Sequence, residues 1–252
     1  MKIVIKIGTS TLTDKNGKLN EKYLSKLASI ISGFKKVEAL IVSSGAIGAG
    51  VGKLNLKKRP EALREKQALA AIGQPIVMDA YSKAFQKRGK TVAQVLVTRD
   101  DFDDKIKRAN ARNTLLELVS KKIIPVINEN DTVAVEEINF GDNDTLAAHV
   151  AVAVKADKLV IFTDVDGLYD KDPSKGGKIV STVKKITSKI ENYATSKSAS
   201  GKGVGGMKTK ISAAKIAGAS GVETVITNGS KPELLKNIVA GKSAGTLFEA
   251  KK

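Results

Sequence analysis

The chain contains no cysteine, which excludes a disulfide framework and any cysteine-based metal site. A single histidine, His149, excludes a histidine-rich zinc centre. It falls among alanines and valines in a helical pattern and reads as a packed helix residue rather than a general base. No apolar run approaches the ~18 residues of a membrane span, so no membrane association is expected. Met1 to Lys6 reaches Gly8 too soon to read as a signal peptide, which leaves a cytoplasmic location as the expectation. There is no block of five or six basic residues, and no aromatic residue is interleaved with the lysines as a stacking platform for bases. The net charge of +17 is carried by lysines in ones and twos, such as Lys35-Lys36, Lys57-Lys58, Lys121-Lys122 and Lys184-Lys185. That pattern describes a solvated surface that steers anionic ligands, with no specific nucleic-acid partner.

What is present is an ordinary globular composition, 42% apolar in 252 residues, enough for one large domain or two small ones. Short β-branched runs alternate with helical patterns. Strands are expected at Lys2–Lys6, Ala39–Ser43, Thr91–Val97, Ile123–Ile127, Lys158–Thr163 and Glu223–Thr227. Helices are expected near Glu21–Gly33, Pro60–Arg88, Ala109–Ser120, Thr145–Val154, Met207–Gly218 and Pro232–Ala240, with Pro60 as a helix start and Gly89 as a helix end. Near-continuous apolar strands alternating with helices imply a parallel sheet covered on both faces. The stretch from Asp166 to Gly206 breaks this rhythm and reads as a hairpin plus a glycine-rich loop. No linker separates independent domains, so a single fold with two lobes is expected.

Polar residues concentrate where such folds bind ligands, at the carboxyl ends of strands. After Ile123–Ile127 come Asn128-Glu-Asn-Asp131 and then Asn139-Phe-Gly-Asp-Asn-Asp-Thr-Leu146. Carboxylates there can take an ammonium group or steer lysines, and amides can donate and accept. Alone, such a cluster reads equally well as turns and helix caps. Two Gly-rich strand ends add weight: Lys6-Ile-Gly-Thr-Ser10, and Ser43-Ser-Gly-Ala-Ile-Gly-Ala-Gly50. Glycines let backbone amides approach an anion, and Lys6 places a cation beside them.

A third segment, Gly201-Lys-Gly-Val-Gly-Gly-Met-Lys-Thr-Lys210, formally matches a dinucleotide fingerprint and nearly a P-loop. Both fail on context, because no strand precedes it and Met207 stands where a P-loop has lysine. What remains is a glycine loop entering a helix, with Lys210 about one turn in and able to reach a phosphate. Thr163 and Asp164, at another strand end, suit a nucleotide. Asp164, Asp166, Asp170 and Asp172 could conceivably cage a metal, but their spacing matches no calcium loop.

Together these segments resemble the amino acid kinase family over essentially the whole chain. The resemblance rests on Val4-Ile-Lys-Ile-Gly-Thr-Ser10, Ile41-Val-Ser-Ser-Gly-Ala-Ile47, Lys66-Gln-Ala-Leu-Ala-Ala71 with Gly73-Gln74, Asn110-Ala-Arg112 and Val126-Ile-Asn-Glu-Asn-Asp131. It continues through Gly141-Asp-Asn-Asp144, Thr163-Asp164 with Gly167-Leu-Tyr169, Gly205-Gly-Met-Lys-Thr-Lys210 and Gly245-Thr-Leu-Phe248. It implies a three-layer α/β/α sandwich around a mostly parallel sheet, filling residues 1–252 as one domain. Residues 1–155 would bind the amino acid and 156–252 the ATP.

The activity implied is ATP- and Mg2+-dependent phosphorylation of the γ-carboxylate of L-glutamate, the first committed step of proline synthesis. By the same resemblance Lys6 and Lys210 flank the transferring group and Asp144 holds them. Ser44, Asp131, Asn143 and Asn128 bind glutamate. Lys6, Gly8, Gly45, Thr163, Asp164 and the loop Val204, Gly205, Gly206, Met207, Lys208, Thr209 and Lys210 bind ATP. Magnesium is carried by the ATP phosphates, with no dedicated protein ligands. Proline competing near the glutamate site and a homo-oligomeric assembly are expected as well.

Many members add a C-terminal PUA module. This chain stops just past Phe248, where that module would begin, and so resembles the single-domain form. Another acceptor on the same fold (carbamate, aspartate, acetylglutamate or UMP) stays open, as does a non-catalytic basic protein that binds nucleic acid.

Overall fold

In the computed structural model, residues 1–14, 16–134, 143–194 and 206–251 are described. The chain runs β1 (Lys2–Ile7), α1 (Thr9–Leu12), α2 (Glu21–Ser32), β2 (Glu38–Ser43), α3 (Ala46–Lys53), α4 (Leu63–Gln86), β3 (Val92–Val97), α5 (Asp100–Asp103) and α6 (Lys105–Ser120). It continues with β4 (Ile124–Glu129), α7 (Asn143–Ala153), β5 (Lys158–Thr163), β6 (Thr182–Val183), α8 (Ser188–Tyr193), α9 (Met207–Ala219), β7 (Glu223–Asn228), α10 (Leu234–Val239) and β8 (Thr246–Phe248). The strands form one eight-stranded sheet in the order β3-β4-β2-β1-β5-β7-β8-β6. Every pairing from β3 across to β7 is parallel, and only β7–β8 is antiparallel.

The sheet is buried on both faces because its strands are apolar at odd and even positions alike. In β1, Ile3, Ile5 and Ile7 enter one core with residues of α2, α4 and α10. Val4 enters the other, with residues of α6, α7 and α9. The result is the three-layer α/β/α sandwich expected from the alternation of strands and helices. Among the described residues no helix is long and apolar enough to cross a membrane.

The helix expected from Pro60 begins at Leu63 instead, after an extended Ala62 (ψ 135°). Gly89, with φ +66°, does sit in the left-handed turn that ends α4. The helix expected from Thr145 begins at Asn143, which brings Asp144 into its first turn. The hairpin expected after Asp166 is present as a Tyr169–Ile179 bridge, backed by the Val180 N–H donating to the Leu168 carbonyl (2.8 Å). The short strands β6 and β8, which extend the sheet there, were not among the expected strands.

Candidate active site

The polar residues singled out above gather along the carboxyl ends of the parallel strands. Side chains alternate across a strand, so Lys6 shares the face of Val4 and points toward α7 rather than α4. There its Nζ lies 2.7 Å from Asp144 Oδ1, in the first turn of α7. Lys210 reaches the same carboxylate from the first turn of α9, with its Nζ 3.0 Å from Oδ2. All three side chains are buried: Asp144 is 0% exposed, Lys6 6% and Lys210 4%. Burial pushes the Asp144 carboxyl pKa up, but the two lysines outweigh it and hold the group below the ordinary carboxylate range. The cluster is therefore an ionised carboxylate clamped between two lysines. The Thr209 hydroxyl lies 2.8 Å from both Asp144 Oδ2 and the Gly206 carbonyl. Having one hydrogen, it donates to one of them at a time.

Beside this cluster lies a web of amides. Asn143 opens α7, and its Nδ2 lies near the Ser43 carbonyl (2.6 Å), Asn128 Oδ1 (2.8 Å) and Ser44 Oγ (3.1 Å), three acceptors that share its two hydrogens. Ser44 just past β2, Asn128 of β4 and Asn143 of α7 are thus brought together. The Asn143 Oδ1 is buried with no hydrogen-bond partner among the described residues. An unmatched buried acceptor is costly unless a ligand meets it, and an ammonium group would.

Asp131, two residues past β4, is 9% exposed. Burial raises its carboxyl pKa to about 6, with Arg59 pulling the other way. If this carboxylate receives a substrate ammonium, glutamate KM should be flat above pH 7. It should climb about tenfold per unit as pH falls through 6, since the protonated acid offers no charge. An Asp131→Asn variant should lose that break and bind glutamate roughly tenfold to a hundredfold more weakly, with ATP affinity retained. Initial rates across pH 5–8 check both statements. A KM with no break near 6 in the native protein would remove Asp131 from the site.

The expected nucleotide residues are placed unevenly. Gly8 follows β1 at the foot of α1, where an added Cβ would come within 3.6 Å of Lys6 Nζ. Gly45 caps α3 with φ +99°, a conformation that glycine adopts without strain. Thr163 ends β5, and its hydroxyl donates to Asp164 Oδ1 (3.1 Å). Gly206 caps α9, Met207 is half-buried and Lys208 is exposed. Val204, Gly205 and the Gly141-Asp142 part of the acidic motif lie outside the described residues.

The four aspartates of the 164–172 segment do not form a cage. Asp166 Oδ1 accepts from Asn228 Nδ2 and Lys231 Nζ, both at 3.0 Å. Asp170 accepts from the Lys178 N–H (2.8 Å), and Asp172 caps a short turn through Ser174. Among the described residues no group of three or more acids and histidines could hold a metal. His149 stacks on Phe102 with ring centroids 5.8 Å apart and planes inclined by 21°, as a packed helix residue would.

Three polar residues that sequence reasoning did not assign also reach these strand ends. Asn228 and Lys231 ring Asp166, and the only signal for them was another Asn-Gly step closing a strand. Gln74 of α4 accepts from Asn128 Nδ2 through its Oε1 (2.8 Å). It stood inside a family motif, but nothing in its spacing gave it a role.

A three-layer sandwich carrying a lysine–aspartate–lysine clamp beside an amide-lined recess is the frame of a small-molecule kinase. The chain belongs to the amino acid kinase family, whose model matches residues 1–228. Two solved structures share the fold at low identity. UMP kinase from Bacillus anthracis has a TM-score of 0.68 and 16% identity, covering 100% of this chain and 96% of that one. An isopentenyl phosphate kinase has a TM-score of 0.65 and 17% identity, covering 98% and 100%.

Nearer relatives are glutamate 5-kinases. That of Caldanaerobacter subterraneus subsp. tengcongensis is 52% identical over 98% of this chain and 68% of its own. That of Clostridium perfringens is 47% identical over 100% of this chain and 96% of its own. The chain falls among them.

Proposed function

We propose that this protein transfers the γ-phosphoryl group of ATP to the γ-carboxylate of L-glutamate, giving L-glutamyl 5-phosphate and ADP. The observation that carries the reading is the buried Lys6–Asp144–Lys210 cluster next to the Ser44–Asn128–Asn143 recess, in a chain whose relatives at about half identity are glutamate 5-kinases. The glutamate carboxylate is already ionised at neutral pH, so it attacks phosphorus without a general base. One carboxylate oxygen–phosphorus bond forms and the bond from phosphorus to the bridging oxygen of ADP breaks, with no proton moved. The obstacle is bringing two anions together, and two buried lysines converging on the site lower it. Lys6 and Lys210 face the transferring group, and Asp144 keeps both in place. Ser44, Asn128, Asn143 and Asp131 hold glutamate by its ammonium and α-carboxylate. Gly8, Gly45, Thr163, Asp164 and the segment 204–210 hold the nucleotide.

In this reading residues 1–155 form the glutamate lobe and 156–252 the ATP lobe. Magnesium comes with the nucleotide, held through its phosphate oxygens and water. The engagement of Asp144 by two lysines supports that assignment. Proline, which presents the same ammonium and α-carboxylate, competes for the glutamate recess. A homo-oligomer is supported by the open edge at β3, whose Val92, Val95 and Leu96 are only half-buried, and by exposed Ile72 on neighbouring α4. ADP release across a panel of acceptors tests the substrate. L-Glutamate should surpass aspartate, carbamate and UMP by at least about a hundredfold in kcat/KM, as expected when polar contacts select the acceptor. Equal turnover of any of these would overturn the assignment.

A further inference from the structure

The amide web does not stop at the residues that face the substrate. Asn143 points its Nδ2 at the Ser43 carbonyl, which can only accept, so the orientation of that amide is fixed. Asn128 turns its Oδ1 to the Glu129 N–H (2.9 Å), which can only donate, and so its orientation is fixed too. The Asn143 Nδ2 then finds Asn128 Oδ1 at 2.8 Å. With its hydrogens engaged, Asn143 keeps its buried Oδ1 available. The opposite end of Asn128, its Nδ2, needs an acceptor in turn, and Gln74 Oε1 supplies it at 2.8 Å. The Gln74 Nε2 donates onward to Gln94 Oε1 of β3 (3.1 Å).

Gln74 is buried at 8% exposed, and α4 is built to place it there. A Cβ on the preceding Gly73 would lie 1.8 Å from the Ala46 carbonyl, so only glycine lets α4 close onto α3 at this turn. About two helical turns back along the same face, Gln67 Nε2 donates to the Ala134 carbonyl (3.2 Å) on the segment that follows Asp131.

We propose that Gln74 is a positioning residue for the amino-acid acceptor. It holds Asn128, and through Asn128 it holds Asn143 with Oδ1 directed at the substrate ammonium. The inference rests on the glutamate reading above. Without the Gln74 acceptor, the buried Asn128 Nδ2 loses its partner and the side chain is held at its Oδ1 end alone. Asn128 then settles less firmly against Asn143, and the recess loses part of its preorganisation. The hydrogen bonds of Gln74 run to Asn128 and Gln94 and away from the lysine cluster, so its influence falls on the acceptor.

The test is steady-state kinetics of the full chain for both substrates. Gln74→Met keeps the length and removes the acceptor. It should raise glutamate KM about tenfold, leaving ATP KM within about twofold and kcat at saturating glutamate within about threefold. Gln74→Glu restores an acceptor oxygen and should recover most of the glutamate KM. Asn143→Ala should mask the effect, so that adding Gln74→Met to it raises KM no further. If Gln74→Met does not fold, Gln74→Asn, which withdraws the amide by one methylene, carries the same comparison. A native glutamate KM in these variants overturns the inference, as does a parallel loss in both substrates and kcat, or full additivity with Asn143→Ala. Failure of the native protein to phosphorylate glutamate overturns instead the reading on which the inference rests.

Discussion

Asp144→Asn should lower kcat by about a hundredfold to several thousandfold, the largest effect expected of any single substitution here. Removing one partner from a buried ion pair costs about 3–5 kcal/mol, because the remaining charge stays out of water. Here it leaves two ammonium groups, on side chains 6% and 4% exposed, facing each other across a neutral amide. Mutually repelled, the two side chains lose the placement that the carboxylate gave them. A displaced lysine cannot offset the charge on a phosphoryl in transit, so the loss appears in kcat. Part of it should also appear in stability, as a fall in Tm of several degrees. Circular dichroism establishes that the variant is folded, and ADP release measures kcat. A variant with kcat within about tenfold of native would show that the lysines hold their position without the carboxylate, and the clamp would lose its central member.

The second large effect is expected at Lys210. Lys210→Ala should reduce kcat by about a hundredfold to a thousandfold, the range seen when one preorganised stabilising donor is removed. Glutamate KM should change little, because Lys210 stands on α9 while the glutamate recess is built from β2, β4 and α7. Asp144 would keep Lys6 at 2.7 Å, so the fold should be only modestly weakened. The split between kcat and KM is what separates a group acting on the transition state from one that binds the ground state. An unchanged kcat would reduce Lys210 to a structural counter-ion of Asp144.

How much of this was legible in the chain follows from the kind of signal each feature leaves. Strands closed by polar or glycine residues were easy to see. Lys158–Thr163 falls where the run of β-branched and apolar residues before Asp164 ends. The face on which Lys6 projects also follows from simple alternation. Helix α3 was not legible, because Gly48, Gly50 and Gly52 weaken helix propensity within it. Those glycines answer to tertiary demands, since a Cβ on Gly50 would sit 2.1 Å from the Leu69 carbonyl of α4.

The site itself was legible residue by residue but not as an assembly. Lys6, Asp144 and Lys210 each announced themselves at a strand end or helix start. Their convergence depends on β1 lying central in the sheet and on α7 packing beside α9, neither of which periodicity reveals. The family resemblance supplied the roles in advance. Gln74 escaped notice because an amide in the middle of a long helix looks like any solvated glutamine until its partner 54 residues away is known.

The most direct test of the central claim is to trap the product. The purified chain is incubated with L-glutamate, Mg-ATP and hydroxylamine, and hydroxamate and ADP are quantified together. Transfer to a carboxylate predicts γ-glutamyl hydroxamate and ADP in equal amounts, both dependent on glutamate. ADP released without hydroxamate, or hydroxamate formed at the α-carboxyl, would contradict it.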